Sequence, residues 1–371
     1  YHTFVSQDAF QLETNTQMNA LVEEVISENP DQLSAALAFQ KIVSNHLSNL
    51  NIPLEYTAFI CRSPIETWNS NQGTEPEKVL LLSALLQKAN ITATPVAIIP
   101  NLLFDKQIGD LLSFQKFAVM LDLENDDNVL LSANQTDDQN LLFSMSDQSL
   151  LKLDTNLKSP ALFSIEKETT QILAKGTFNF TDSDLSGNLN LELEGAVNPY
   201  FSLIKDASVI ESLVKGGISS KDIQSFTQIL LSQEKCGTQL EIKKEEPFEK
   251  LHYYYSFEIP YVKGGAQGWH YTVLTDERNA ALEIPETIHE KYVYTFAFSD
   301  DLKLVSEPSN IEINNDAGYL HIQFEQSEGK LVVTREIKLS EKIIDTNMYD
   351  GFREIMNAWN NVNLQKIICK Q

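Results

Sequence analysis

By type, the side chains most able to do covalent chemistry are three cysteines, Cys61, Cys236 and Cys369, and six histidines, His2, His46, His252, His270, His289 and His321. A thiol becomes a nucleophile when a helix N-terminus or a neighbouring imidazolium lowers its pKa, and a Cys–His pair then supports acyl transfer. The stretch built for that purpose is Gly73-Thr74-Glu75-Pro76-Glu77-Lys78 followed by Val79-Leu80-Leu81-Leu82: a glycine, a small cap, then an apolar helix. It holds no cysteine, and no histidine lies between residues 47 and 251. Thr74-x-x-Glu77 reads instead as a capping box, with Pro76 in a first turn where its missing N–H costs nothing. Cys61 precedes the helix rather than starting it, so the expectation is an inert, buried thiol. The cysteines show no CxxC or Cys/His spacing, so neither a structural zinc nor any other metal or cofactor is expected.

The remaining candidates read as structural. Lys263-Gly264-Gly265-Ala266-Gln267-Gly268-Trp269-His270-Tyr271 lacks phosphate-loop spacing and is expected to be a hairpin connection. Asp126-Asp127 and Asp137-Asp138 lack calcium-loop spacing and read as solvated turns. Tyr253-Tyr254-Tyr255 reads as half core and half surface, and His252, His289 and His321 as strand residues without partners in register.

These residues need elements to hold them. Met18, Leu21, Val22, Val25 and Ile26, then Leu33, Leu37, Phe39, Ile42, Val43 and Leu47, recur at helical spacing around the break Asn29-Pro30-Asp31, predicting a helical hairpin. Asn51 to Cys61 alternates and predicts a strand; the helix from Thr74 follows, then strands over Thr92–Pro100, Phe114–Leu123 and Val129–Asn134. After about residue 160 short alternating runs predict a β-rich region, including Thr170–Lys175, Thr177–Thr181, Thr238–Lys243, Lys291–Ser299 and Lys330–Leu339. Pro199 near a helix start and Gly216-Gly217 between two helical periods predict a helical pair over about 198–231, and Asp345–Asn360 closes as a helix.

The segment from about Leu33 to Leu142 resembles the transglutaminase-like, papain-superfamily core of large extracytoplasmic proteins of Bacteroidetes-type bacteria. There the core sits between β-rich domains of the DUF3857 and DUF3858 types. The family pattern is Gly-Asp-Cys-Lys-Asp-Lys-Ala, then two leucines and Ala-Leu-Leu; Gly73, Lys78, Leu81, Leu82, Ala84, Leu85 and Leu86 fit it, with Glu75 at the cysteine. A family strand Phe-Asn-His-x-x-Val carries the base, and Phe114 to Val119 matches it with Lys116 at the histidine. A later Leu-Asp-Ala-Thr carries the orienting aspartate, and Leu131-Ser132-Ala133-Asn134 matches it with Ser132 in that place. Gly329-Lys330, Arg335 and Tyr349 to Phe352 resemble, more loosely, the region that follows the core.

The resemblance implies an α+β chain: a papain-like transglutaminase core over 1–158, helices on a small antiparallel sheet, then a β-rich, sandwich-like region over 159–371. The helical pair would be inserted into that region, and its last strands and helix would occupy about 286–371. It also implies export to the periplasm or outer surface. With Glu75, Lys116 and Ser132 at the triad positions, the expected function is a catalytically inactive binding or scaffolding module taking a peptide or protein at the vestigial cleft. Glu75 and Lys116 are expected to face each other as an ion pair. The alternative is an active cysteine protease or acyl-transfer enzyme using a non-family nucleophile or a site completed by a partner.

Composition bounds these readings. The chain has 371 residues, 42% of them apolar, enough for more than one packed core. With 28 basic and 52 acidic residues its formal charge is −24, which disfavours nucleic acid or an anionic membrane as partner. No apolar run reaches the roughly 20 residues of a membrane span. The first residues do not read as a signal peptide, and the missing initial Met predicts a processed or truncated chain.

Overall fold

The computed structural model describes residues 1–100, 112–114, 116–123, 128–135, 141–144, 148–157, 162–164, 169–181, 183–269, 271, 274–299, 302–307, 309–327 and 329–370. The fold is α+β with a large β-rich part, and contacts divide it into two compact units, Tyr1–Lys167 and Glu168–Gln371.

In the first unit Pro30 ends one helix and Asp31 starts the next, because proline cannot continue a helix and a carboxylate can cap one. Helix α1 spans Thr16–Glu28, with Asn15 Oδ1 accepting from Met18 N at 2.9 Å. Helix α2 spans Gln32–His46, with Asp31 Oδ1 accepting from Ser34 N at 2.8 Å. Helix α3, Pro64–Ser70, is capped by Ser63 and Glu66. Helix α4, Glu75–Lys88, follows, and its residues Pro76 to Leu86 are all buried. A helix apolar on every side must be enclosed, and α4 packs against α2, α3 and the strands that come next.

Those strands are β1 Thr92–Pro100, β2 Lys116–Asp122, β3 Asn128–Leu131, β4 Gln148–Lys152 and β5 Leu162–Ser164. They form one antiparallel sheet in the order β3-β2-β1-β4-β5. Val96, Ile98, Ala118, Met120, Leu130 and Leu150 pack together as its apolar cluster. The strand expected over Asn51–Cys61 is absent. The chain instead makes a 3-10 turn over Leu54–Thr57, after which Ala58 and Phe59 take left-handed φ values of 53° and 60°. The alternation there is misleading because no strand lies beside it, and Tyr56 and Ile60 point to solvent, 79% and 64% exposed.

The second unit is organised by an eight-stranded sheet. Its strands are β6 Thr170–Phe180, β7 Asp184–Glu194, β8 Ile223–Leu231, β9 Lys235–Glu245, β10 Ile288–Phe298, β11 Ser309–Asn315, β12 Gly318–Ser327 and β13 Lys330–Leu339. The order is β8-β9-β7-β6-β10-β13-β12-β11, antiparallel except for the parallel pair β6–β10. The two short strands expected over residues 170–181 are one strand running through Gly176. Helix α5, Tyr349–Trp359, buries Tyr349, Phe352, Ile355, Met356 and Trp359, and a strand at Lys366–Lys370 follows it in a smaller sheet.

The predicted helical pair is only half present. Tyr200–Leu203 is a short helix and Ala207–Ser212 a 3-10 segment, but Ile223–Leu231 is the edge strand β8. Two register shifts, between Ile223 and Ser225 and between Gln228 and Leu230, each add a residue to the strand. Each extra residue breaks the two-residue period, so Ile223, Phe226, Ile229 and Leu230 fall at a spacing that imitates a helix. Among the described residues no helix is long and apolar enough to cross a membrane.

One glycine is required by close approach inside the sheet. Phe178 of β6 lies directly across from Gly187 of β7 and stacks on Phe296 with ring centroids 5.3 Å apart. A Cβ on Gly187 would sit 2.3 Å from the Thr177 carbonyl oxygen and 2.7 Å from the Phe178 ring. Gly187→Ala is therefore expected to cost about 1–3 kcal/mol by overpacking, measured as a lower urea midpoint.

Candidate functional site

At the N-terminus of α4 a cleft of about 470 Å³ opens. The first turn contributes Glu75 and Pro76, the segment from Asn49 to Glu55 forms one wall, and Phe114, Lys116 and Phe117 lie at the start of β2. Leu112, Phe59 and Asn134 complete the lining. The wall exists because Ser48–Asn49 pairs in parallel with Gln72–Gly73, tying the end of α2 to the entry of α4. Gly73 is forced by that junction: a Cβ there would stand 2.9 Å from the Thr67 methyl group.

Two carboxylates stand two residues apart in the first turn of α4 and meet opposite surroundings. Glu77, buried, accepts four hydrogen bonds. Arg62 N and Nε reach Oε1 at 3.0 and 2.9 Å, while Arg62 Nη2 and Thr74 N reach Oε2 at 2.7 and 2.8 Å. The last is the reciprocal half of the capping box expected from Thr74-x-x-Glu77. Burial alone would raise its pKa; the Arg62 and Thr74 bonds outweigh it and hold the carboxyl below the usual range. Arg62 also donates to Ser70 Oγ at 3.0 Å and to the Gln72 carbonyl at 2.9 Å, closing the loop between α3 and α4.

Glu75 is half-buried and has one hydrogen bond among the described residues, from Phe117 N to Oε2 at 3.2 Å. Burial raises its pKa, and neither the Phe117 bond nor the attraction of Lys116 compensates. Of the expected Glu75–Lys116 ion pair the structure keeps the attraction of the Lys116 charge for the Glu75 carboxylate. Glu75 and Lys116 line the same cleft, but the contact Glu75 makes is to the backbone beside Lys116, whose side chain stays exposed. A lysine at the first residue of β2, exposed there, keeps its ammonium hydrated, whereas the fixed Phe117 amide needs no side-chain ordering.

Ser132 stays behind the cleft. Its carbonyl accepts from Gln40 Nε2 at 3.0 Å and its Oγ accepts from Asn134 N at 3.2 Å. It therefore holds Asn134, which does line the cleft and was missed in the sequence. Its only signal there is its place at the end of Leu131-Ser132-Ala133-Asn134. Lys78, fully buried, donates to the Leu47 carbonyl and to Asn49 Oδ1, and burial pushes its ammonium down to about 8.

Cys61 is buried away from the lining, and burial, with Glu77 nearby, pushes its thiol up to about 12. Burial pushes Cys369 to about 12 as well. Among the described residues the cleft lining contains no Cys, His, Ser, Thr or Asp. What it offers is apolar surface, two carboxylates, one ammonium and three asparagine amides. No group of three His, Cys, Asp or Glu among the described residues could hold a metal.

The glycine-rich stretch in the second unit serves a buried charge instead of a plain hairpin. Ala266 N donates to Glu290 Oε2 at 2.8 Å, and Tyr292 OH donates to Oε1. A Cβ on Gly265 would lie 2.5 Å from that carboxylate. Arg335, also fully buried, donates to the Trp359 carbonyl at 2.8 Å and lies over its ring at 4.2 Å. His289 and His321 do have partners, Glu336 at 2.9 Å and Asn310 at 3.2 Å. His270, Asp126-Asp127 and Asp137-Asp138 lie outside the described residues.

A family model, a domain of unknown function with solved structure (DUF3858), matches residues 252–369, which include Glu290, Tyr292, Arg335 and Trp359. The whole chain superposes on a crystal structure of a candidate protease from Parabacteroides distasonis with a TM-score of 0.65 at 16% identity. At that identity the likeness is one of fold, and the chain spans 58% of that protein's length. No curated protein matches.

Glu77 and Lys78 shift stability in opposite directions with pH. Because the folded pKa of Glu77 is lowered, its contribution is complete above the usual glutamate range and disappears as pH falls through the folded value. Glu77→Gln is expected to cost about 2–3 kcal/mol at neutral pH and to flatten the acid limb of a urea-midpoint profile. For Lys78 the folded value of about 8 lies below the ordinary 10.5. The unfolded chain alone holds the proton across that window, so stability rises with pH there, by about 3 kcal/mol in all. Lys78→Met is expected to be stabilising near neutral pH and to remove that rise.

Proposed function

We propose that this chain is a transglutaminase-like protein of the papain superfamily whose cleft binds a peptide or protein segment without turning it over. The observation that carries the reading is the occupancy of the cleft at the α4 N-terminus: Glu75 and Lys116, at the family's cysteine and histidine positions, both line it. Ser132, at the aspartate position, supports Asn134 instead of orienting a base. A carboxylate in a helix first turn is favoured by the same dipole that would stabilise a thiolate, but it forms no thioester. The apolar walls and asparagine amides suit an extended segment, with side chains against Phe114 and Phe117 and backbone groups at the amides. Location in the periplasm or at the outer surface is part of the same proposal and rests on the resemblance.

The competing reading is an enzyme with its nucleophile elsewhere, and the Parabacteroides distasonis protein described as a candidate protease gives it some weight. A thiol held near 12 inside the first unit is a poor nucleophile at neutral pH. Iodoacetamide at neutral pH is therefore expected to leave Cys61 unlabelled in the folded chain and to label it after unfolding. Rapid labelling of Cys61 in the folded chain, blocked by a peptide, would overturn the inactive reading.

A further inference from the structure

We infer that the cleft selects a segment carrying a basic side chain, whose ammonium or guanidinium pairs with Glu75 between flanking apolar residues. This rests on the peptide-binding reading above and names the chemistry of its ligand. Glu77 supplies the internal comparison. In the same helical turn it is saturated by Arg62 and Thr74, as a buried carboxylate should be. A carboxylate accepts about four hydrogen bonds; Glu75 receives one among the described residues, at 3.2 Å, and none from a charged group. An under-compensated carboxylate facing a cleft gains most from a cation delivered by a ligand.

The surroundings favour the same sign. The lining carries Glu55 and Glu75 against Lys116 alone, and the chain as a whole carries −24. Such a field draws cations toward the cleft and repels acidic segments. Lys116 is the group that an acidic ligand would use, but it is exposed and so screened by water and salt, whereas Glu75 is half-buried and acts through a lower dielectric. At the rim Ile52 and Leu112 remain 45% and 62% exposed. They offer apolar surface to the residues that flank a basic one.

The test uses three acetylated, amidated pentapeptides, Gly-Phe-Xaa-Leu-Gly, with Xaa lysine, norleucine or glutamate, titrated against the full chain by NMR. The lysine peptide is expected to bind about tenfold more tightly than the norleucine peptide, and the glutamate peptide most weakly. Glu75→Gln should bring the lysine peptide to the norleucine level, while Lys116→Gln should tighten it. Raising salt from about 50 mM to about 500 mM should weaken the lysine peptide alone. A lysine peptide no tighter than norleucine, or a tighter glutamate peptide, overturns the inference. If all three bind alike and Phe114→Ala weakens them all, the cleft reading stands and the basic preference falls. If none binds at millimolar peptide, both fall.

Discussion

A helix enclosed on every side has to satisfy its own polar ends, and that requirement governs the first unit. Residues Pro76 to Leu86 of α4 are buried, so the amides at its N-terminus cannot turn to water. Proline at the second helical position removes one donor, and Glu77 takes the Thr74 amide. Arg62 then neutralises Glu77 and, through Ser70 and Gln72, holds the loop that delivers the helix. The cleft is a consequence: the pairing of Ser48–Asn49 with Gln72–Gly73 that seats this junction also sets the wall from Asn49 to Glu55.

Both units bury charge, with different solutions. In the first, Glu77 and Arg62 form a direct ion pair at 2.7 Å with the arginine one-third exposed. In the second, Glu290 is held by Ala266 N and Tyr292 OH, and Arg335 by the Trp359 carbonyl and ring. Fully buried ions tolerate such placement only when hydrogen bonds replace hydration. The glycine-rich stretch from Lys263 is spent on this support, since the Gly265 backbone packs where a Cβ would meet the carboxylate.

Much of the architecture was legible in the residues. The break at Asn29-Pro30-Asp31, the buried run of α4 and the alternation of β10 and β13 each follow from local chemistry acting on a regular period. Glu290 and Arg335 were legible too, in hindsight, as charges on the apolar phase of two alternating strands: Ile288, Tyr292 and Phe296 flank the first, Leu331, Val333 and Ile337 the second. The helix expected at Ile223–Leu231 failed because bulges shift the phase of a strand, and the strand expected before Cys61 failed because alternation without a neighbouring strand forms no ladder.

At the cleft the division is sharper. Residue types alone determined that no cysteine or histidine stands at the head of α4 and that Thr74 and Glu77 cap it, because capping is a contact three residues long. Which of two nearby carboxylates would be satisfied was decided by the tertiary structure. Arg62, fifteen residues before Glu77, folds back onto it, while Glu75 turns toward the start of β2, forty-two residues on, and finds a single amide. The turn that carries Asn134 into the lining is anchored by Gln40, whose Nε2 donates to the Ser132 and Gln135 carbonyls from more than ninety residues away. Hydrogen-bond saturation and burial depend on groups distant in the chain, and no local pattern encodes them.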